Sequence, residues 1–292
     1  MEKTKIVIIG ITGDYSRRML LVSLDKLLSK NLINNVEIYG TSRNIKTPLE
    51  IINNSMIPNK DTSPLKNNLK IIKLDPSIND DFINFKNEIN LQDNEQLIIY
   101  LSVPFTSAMS ICDSLARNNI NTKNVKIMIE KPFGNDLTSA HEFLDSIAKN
   151  FNEEQVYRVD HYLQKPACHK LINNIKDNTN NLHSMLNNNV TKEIDIVASE
   201  KIDIQGRGDF FEQTGTLRDF VQNHLMQLLS LILVGGDVNI DNLVEEKVNQ
   251  LKHLHAIEGV RAQYDGYKSE VNNSYSKTET FVCLELESSY ER

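Results

Sequence analysis

The stretch YRVDHYLQKPACHK, residues 157–170, carries one aspartate, two histidines, two lysines and two tyrosines in fourteen positions. Such a set can ligate a metal, neutralise a phosphate or move a proton. A metal is the weakest of the three. His161 and His169 are eight apart, about 80° round a continuous helix, and no third ligand is evident.

A second candidate lies in TGTLRDFVQNHLMQLLSLIL. At about 100° per residue, Leu217, Val221, His224 and Leu228 fall within about 60° of one another, so His224 stands on the apolar face of a helix. Two readings are open: a core histidine satisfied by one hydrogen bond, or a general base working near neutral pH. Asp219 is five positions earlier and about 140° away in an α-helix, which does not pair the two directly.

Near the N-terminus, IVIIGITGDYSRRMLLVSL places Gly10, Gly13 and Ser16 as GxxGxxS between a strand and a helix. A glycine at the strand end permits a sharp turn, and small residues let backbone N–H groups at the helix start approach a diphosphate. The second strand ends in Thr41, Ser42 and Arg43, where an NAD-selective fold commonly has a carboxylate for the ribose 2′-OH. Arginine there complements a 2′-phosphate, so NADP is favoured and NAD is the other candidate. In MIEKPFG, Lys131 and Pro132 stand at the end of a fifth strand, the edge where open α/β sheets bind ligands. A turn proline beside a solvated lysine is the ordinary alternative, since X–Pro bonds are cis in only about one case in twenty.

Elements of two kinds must position these residues. The runs KIVIIG, VEIYGTS, LKIIKL, QLIIYLSV and VKIMIE alternate with amphipathic helical segments, the rhythm of βαβ units. Continuous Ile/Val runs are what parallel strands show when helices cover both faces. Residues 1–160 are therefore expected to form a doubly wound, Rossmann-type domain. Residues 161–292 read as an α+β domain with a mainly antiparallel sheet, including an alternating segment KEIDIVAS, a helix over about 215–234 and a strand in ETFVCLELES. An Asn-rich patch at 173–189 reads as loop.

Composition narrows the class. With a net charge of −7 and a pI near 5.6, the chain has no general attraction for nucleic acid or an anionic membrane. Three cysteines, far apart and without a CxxC pair, suggest neither disulfides nor zinc and fit a reducing cytoplasm. No apolar run approaches the ~18 residues of a membrane span, and the N-terminal one is too short for a signal peptide.

Together the motifs resemble one family, the glucose-6-phosphate dehydrogenases. GITGDYSRR, GTSRN, YLSVP, IEKPFG, RVDHYLQK, SEKIDIQGRGDFFEQTGTLRDFVQNHLMQLL, RAQYDGY and SKTETFVCLELE occur in the family's order over nearly the whole chain. The resemblance implies that Gly10, Thr12, Gly13, Asp14, Tyr15, Ser16 and Arg17, with Arg43, bind NADP. Lys131 matches a lysine touching both cofactor and sugar. His161, Tyr162 and Lys165 match residues holding the 6-phosphate, and Glu200 and Asp219 match groups that bind sugar hydroxyls. His224 matches the general base and Asp160 the carboxylate that orients it; phosphate and proton thus divide the 157–170 cluster, leaving Tyr157, His169 and Lys170 as packing or surface residues. No metal is implied. The expected reaction is hydride transfer from C1 of a hexose 6-phosphate to NADP, and homo-oligomers are compatible with the family.

This chain departs from the pattern in places. GDYS replaces the commoner GDLA, Met19 stands where a basic residue is usual, Phe105 replaces the second proline of a Pro-Pro pair, and Pro166 follows Lys165. The sequence stops at LELESSYER, before a family segment with further basic residues. Either it is a truncated product or a short form whose pocket is completed differently. The alternative functions are a dehydrogenase of another sugar phosphate, or a catalytically impaired relative that binds nucleotide or a partner.

Overall fold

The computed structural model describes residues 3–177, 190–200, 203, 204, 206–235 and 240–290. The chain divides into two compact units, Met1–Val159 and Asp160–Arg292. In the first, the strands β1 (Thr4–Ile9), β2 (Val36–Ser42), β3 (Leu69–Lys73), β4 (Gln96–Leu101), β5 (Val125–Glu130) and β6 (Val156–Val159) form one sheet in the order β3-β2-β1-β4-β5-β6. Every neighbouring pair is parallel.

Alternate residues of these strands serve opposite layers, as the period of two requires. Val7, Ile9, Leu97, Ile99, Ile127 and Ile129 face one core, closed by α4 (Asn79–Ile89), α5 (Phe105–Arg117) and α6 (Leu137–Asn150) through Phe82, Phe85, Ile111, Leu115, Phe143 and Ile147. Ile8 and Ile38 face the other, closed by α1 (Leu21–Ser29), α2 (Pro48–Asn53) and α3 (Leu65–Asn68) through Leu21, Ile51, Ile52 and Leu65. Burying each such side chain contributes about 1.5–3 kcal/mol. Both faces being covered explains why the strands read as apolar runs. The strand order reverses between β1 and β4, which opens a crevice at their carboxyl ends.

The sixth strand, VYRV, was not among the five apolar runs. Among the described residues it is an edge strand, paired only with β5, and its Tyr157 and Arg158 are exposed, so it lacks the apolar signature of a central strand. At the sheet's opposite, amino edge, the buried Lys5 donates to the Ile89 and Asn90 carbonyls at 2.7 and 3.0 Å and pairs with Glu95 at 2.7 Å. Beside it, Glu37 pairs with Lys3 and accepts from the Tyr39 hydroxyl.

In the second unit, α7 (Pro166–Asp177), α8 (Gly208–Thr216), α9 (Met226–Val234), α10 (Leu243–Lys252) and α11 (Tyr267–Glu270) accompany one antiparallel pair among the described residues, β7 (Leu254–Ala262) with β8 (Phe281–Ser288). KEIDIVAS forms no strand; it has no ladder partner among the described residues, and Val197 is 88% exposed. The Asn-rich patch expected as loop over 173–189 is instead helical over 173–177, the end of α7, and from residue 178 lies outside the described residues.

The helix expected over 215–234 differs in its winding. Gly215, at φ 66° and ψ 173°, breaks the chain between α8 and a π-helix, Leu217–Leu225, which continues into α9. Glu279 caps the restart: its carbonyl accepts from Thr216 N at 3.1 Å and its carboxylate from Leu217 N at 3.0 Å. Upstream, Glu212 accepts from Tyr267 Oη, Asn273 Nδ2 and Ser276 Oγ at 2.6–2.8 Å. These bonds tie α8 to the segment that leads into β8. Burial works against ionising Glu212, but the donors from Ser276, Tyr267 and Asn273 win and hold its carboxyl below the usual value.

No helix among the described residues is long and apolar enough to cross a membrane.

Candidate active site

In the first unit, the glycine turn, Arg43 and Lys131 all stand at the carboxyl edge of the sheet. Gly10 has φ 86°, and a Cβ there would meet the Ser102 carbonyl at 2.6 Å, so only glycine fits this close pass over β4. Gly13 N donates to the Gly10 carbonyl and Arg17 N to the Gly13 carbonyl, both at 3.0 Å. The buried Ser16 has its Oγ 3.0 Å from Gly10 O and 2.9 Å from Ser102 Oγ. Thr12 and Asp14 are exposed, Asp14 lies 3.5 Å from Arg18, and Arg17 Nε donates to Asn54 O at 2.8 Å.

Tyr15 is pushed up to about 12 by burial first and then by the neighbouring Glu130 carboxylate. Tyr100 donates to that same carboxylate, and burial together with Glu130 raises its phenol as well. Arg43 is exposed directly after β2, where it adds to the lowering of the Asp75 carboxyl that Ser77 dominates. Lys131 follows the last residue of β5, and the Lys131–Pro132 peptide is cis.

A narrow glycine pass, small buried side chains and the start of a helix at the strand-order reversal fit a dinucleotide's diphosphate. The exposed Arg43 at the next strand end fits an additional phosphate on the ribose.

In the second unit, residues from two segments about sixty positions apart in sequence pack around one imidazole. The His224 ring stacks on Tyr162 with centroids 4.7 Å apart at 22°, and meets His161 at 4.9 Å and Phe220 at 5.6 Å edge-on. His224 Nδ1 is buried. Lys165 Nζ lies 3.6 Å from the centroid of the Tyr162 ring, a cation–π contact that holds the ammonium beside the stack. Asp160 Oδ1 accepts from Tyr162 N at 2.9 Å and Leu163 N at 3.1 Å, which fixes the turn carrying His161 and Tyr162.

Asp219 joins this group electrostatically. Burial raises its carboxyl above the usual value, Arg207 pulls it back, Glu200 pushes it up and His161 pulls it down. The α-helical geometry expected here kept Asp219 and His224 about 140° apart. In the π-helix each turn closes on the fifth residue, so the two are about one turn apart on the same segment; the His224 ring meets His161, whose charge also acts on Asp219.

The site residues expected from sequence thus gather into two groups. Gly10 to Arg17, Arg43 and Lys131 lie in the first unit; Asp160, His161, Tyr162, Lys165, Glu200, Asp219 and His224 lie in the second. Glu200 is exposed. Tyr157 is 49% exposed and His169 Nε2 is 3.0 Å from Gln164 Oε1, outside the imidazole stack. Two residues were missed, Phe220 and Arg207. Their signal was the segment GRGDFFEQTGTLRDF, where only Asp219 had been given a role.

Comparison with known proteins bears on the family. The family model for "Glucose-6-phosphate dehydrogenase, NAD binding domain" matches residues 7–170, and that for the C-terminal domain matches residues 175–292. Glucose-6-phosphate 1-dehydrogenase of Buchnera aphidicola subsp. Schizaphis graminum is 32% identical over 98% of this chain and 64% of its own length. That of Dickeya dadantii is 30% identical over 97% and 63%. The chain therefore spans less than two thirds of these relatives. The crystal structure of glucose-6-phosphate 1-dehydrogenase from Mycobacterium avium superimposes with a TM-score of 0.86 at 26% identity, covering 100% of this chain and 66% of that one. A glucose-6-phosphate dehydrogenase in complex with its substrate glucose-6-phosphate gives 0.83 at 25%, with the same coverage. With matched domains on either side of residue 170 and relatives aligned almost end to end along this chain, it belongs to the glucose-6-phosphate dehydrogenase family.

Proposed function

We propose that this chain carries out the oxidation of a hexose 6-phosphate at C1, glucose 6-phosphate first, to the 6-phospholactone. The observation that carries this reading is the imidazole of His224 enclosed by His161, Tyr162 and Phe220, with a carboxylate, Asp219, one π-turn away.

His224 takes the proton of the C1 hydroxyl, and Asp160 steadies the imidazolium that forms. His161, Tyr162 and Lys165 hold the 6-phosphate, so binding energy remote from C1 is used to orient it. Glu200 and Asp219 accept from sugar hydroxyls. Residues 1–160 hold NADP, with Gly10 to Arg17 along the diphosphate, Arg43 at the 2′-phosphate and Lys131 reaching both cofactor and sugar. NADP, when bound, is the hydride acceptor. The same reading places the protein in the cytoplasm, and its net charge of −7 supports no nucleic-acid or anionic-membrane partner.

The test is NADPH absorbance from purified protein, NADP and a panel of hexose 6-phosphates. Turnover greatest with glucose 6-phosphate is expected, and His224→Asn should lower kcat by about 10²–10⁴ while NADP affinity stays within about twofold of wild type. NADP binding without turnover of any sugar phosphate would leave a binding protein and end the catalytic reading.

A further inference from the structure

Gly215 takes the chain out of α8 through the left-handed region, and a new helix must start at Leu217. The first N–H groups of a helix have no acceptor within it. Here one residue from more than sixty positions away meets both leading ones. Thr216 N donates to the Glu279 carbonyl at 3.1 Å, and Leu217 N to the Glu279 carboxylate at 3.0 Å. On the other side of the break, the Glu212 carbonyl accepts from Thr278 Oγ1 at 3.1 Å. Thr278 and Glu279 thus bracket the interruption, one holding the end of α8 and the other the start of the π-helix.

Glu279 is itself firmly seated. The Thr278 carbonyl before it accepts from Gln263 Nε2 at 2.8 Å, and Thr280 N after it donates to the Ala262 carbonyl at 2.9 Å, where β7 ends. Thr280 Oγ1 also accepts from Tyr264 N at 2.8 Å. A cap on a loose arm would satisfy the helix end without placing it. One fastened on both sides to the end of β7 also fixes where the helix begins.

We propose that Glu279 is a positioning residue, which pins the head of the π-helix to the β7–β8 pair and so sets where Asp219 and His224 stand against His161 and Tyr162. The effect on rate rests on the roles of Asp219 and His224 under the proposed function, whereas the cap rests on the hydrogen bonds alone. His224 is about one and a half π-turns beyond Leu217, and its ring stacks on Tyr162 with centroids 4.7 Å apart. So short a segment carries a shift of its head to the imidazole, and a misplacement of about 1 Å can cost on the order of 10²-fold in rate.

The Leu217 N–H needs an acceptor at that reach, not a charge. Glu279→Gln keeps an acceptor oxygen at the same reach, Glu279→Asp keeps the charge one methylene short, and Glu279→Ala removes both. NMR of the ligand-free protein with ring-labelled histidine reports the imidazole directly, the His224 signal being the one lost in His224→Asn. In Glu279→Ala and Glu279→Asp that signal should move downfield, as a proton does on leaving the face of an aromatic ring, and in Glu279→Gln it should stay near the wild-type position. With all variants folded at the assay temperature, kcat for glucose 6-phosphate should fall about tenfold in the first two and stay within about twofold of wild type in Glu279→Gln. A role in stability alone would lower the unfolding temperature without moving the imidazole of the folded protein. If Glu279→Ala does not fold, Glu279→Asp against Glu279→Gln decides the same point. A His224 signal unmoved in Glu279→Asp, or moved as far in Glu279→Gln, would overturn the cap as what places the imidazole. A moved signal with unchanged kcat would overturn its consequence for catalysis. Absence of turnover in the wild type would end the proposed function, while the His224 signal still decides the cap.

Discussion

Asp219 is half-buried, and burial alone drives a carboxyl toward its neutral form. Glu200 adds to that drive, while Arg207 and His161 oppose it. If Asp219 must be ionised to accept from a sugar hydroxyl, Arg207 sets the lower end of the working pH range. Removing the guanidinium in Arg207→Met takes away a lowering influence, so the Asp219 pKa rises further. The acid limb of the pH profile of kcat/KM should then move to higher pH, and Arg207→Lys, which keeps the charge, should restore most of it. A limb that stays in place in Arg207→Met would show that the Arg207 charge does not govern the site. The sequence made Asp219 and His224 visible because each falls in a distinctive motif. Arg207 was legible only as a letter in GRGDFF, because its partner lies twelve residues away across the non-helical Gly215, where periodicity carries no information.

Elements explain which parts of the fold could be read in advance. The first five strands announced themselves as runs rich in Ile and Val, whereas β6, solvated at Tyr157 and Arg158, looked like part of a polar cluster. The π-winding from Leu217 was not legible either, because the apolar pattern of α9 extends smoothly back into it and the capping residue, Glu279, is more than sixty positions away. That cap yields a test. In Gly215→Ala the backbone would have to hold φ 66° with a Cβ 2.5 Å from the Glu279 carboxylate. The expected loss is more than about 1 kcal/mol of stability, read by urea unfolding, together with a lowered kcat as the helix restart carrying His224 shifts. The amino edge of the sheet offers a second. Lys3 and the Tyr39 hydroxyl lower the Glu37 carboxyl from 4.5 to about 2. A depressed carboxyl contributes stability that is fully present above its unfolded pKa and is lost as pH falls through the folded one. The stability gap between wild type and Glu37→Gln should therefore be constant above about pH 5 and close between about pH 4.5 and 2, in denaturation followed across that range.

At the scale of the whole molecule, the change of rhythm near residue 160 was the most legible feature, because βαβ alternation and an irregular α+β order differ over tens of residues. What that rhythm could not supply was cofactor choice, which turns on one side chain. Arg43 stands exposed at the end of β2, beside the strand that begins the glycine turn. A ligand that binds only the folded state stabilises it by RT ln(1 + [L]/Kd), about 2.7 kcal/mol at a hundredfold excess over Kd. For a unit of roughly 150 residues this corresponds to a rise of about 5–10 °C in unfolding temperature. NADP at a given concentration should thus raise the unfolding temperature more than NAD does, because only NADP carries the 2′-phosphate that the Arg43 guanidinium is proposed to complement. Arg43→Ala should remove the difference and leave the NAD shift in place, since the diphosphate seat proposed at Gly10 is untouched. Equal shifts by the two nucleotides in the wild type would place the selectivity elsewhere, and a shift by neither would argue that the glycine turn holds no dinucleotide.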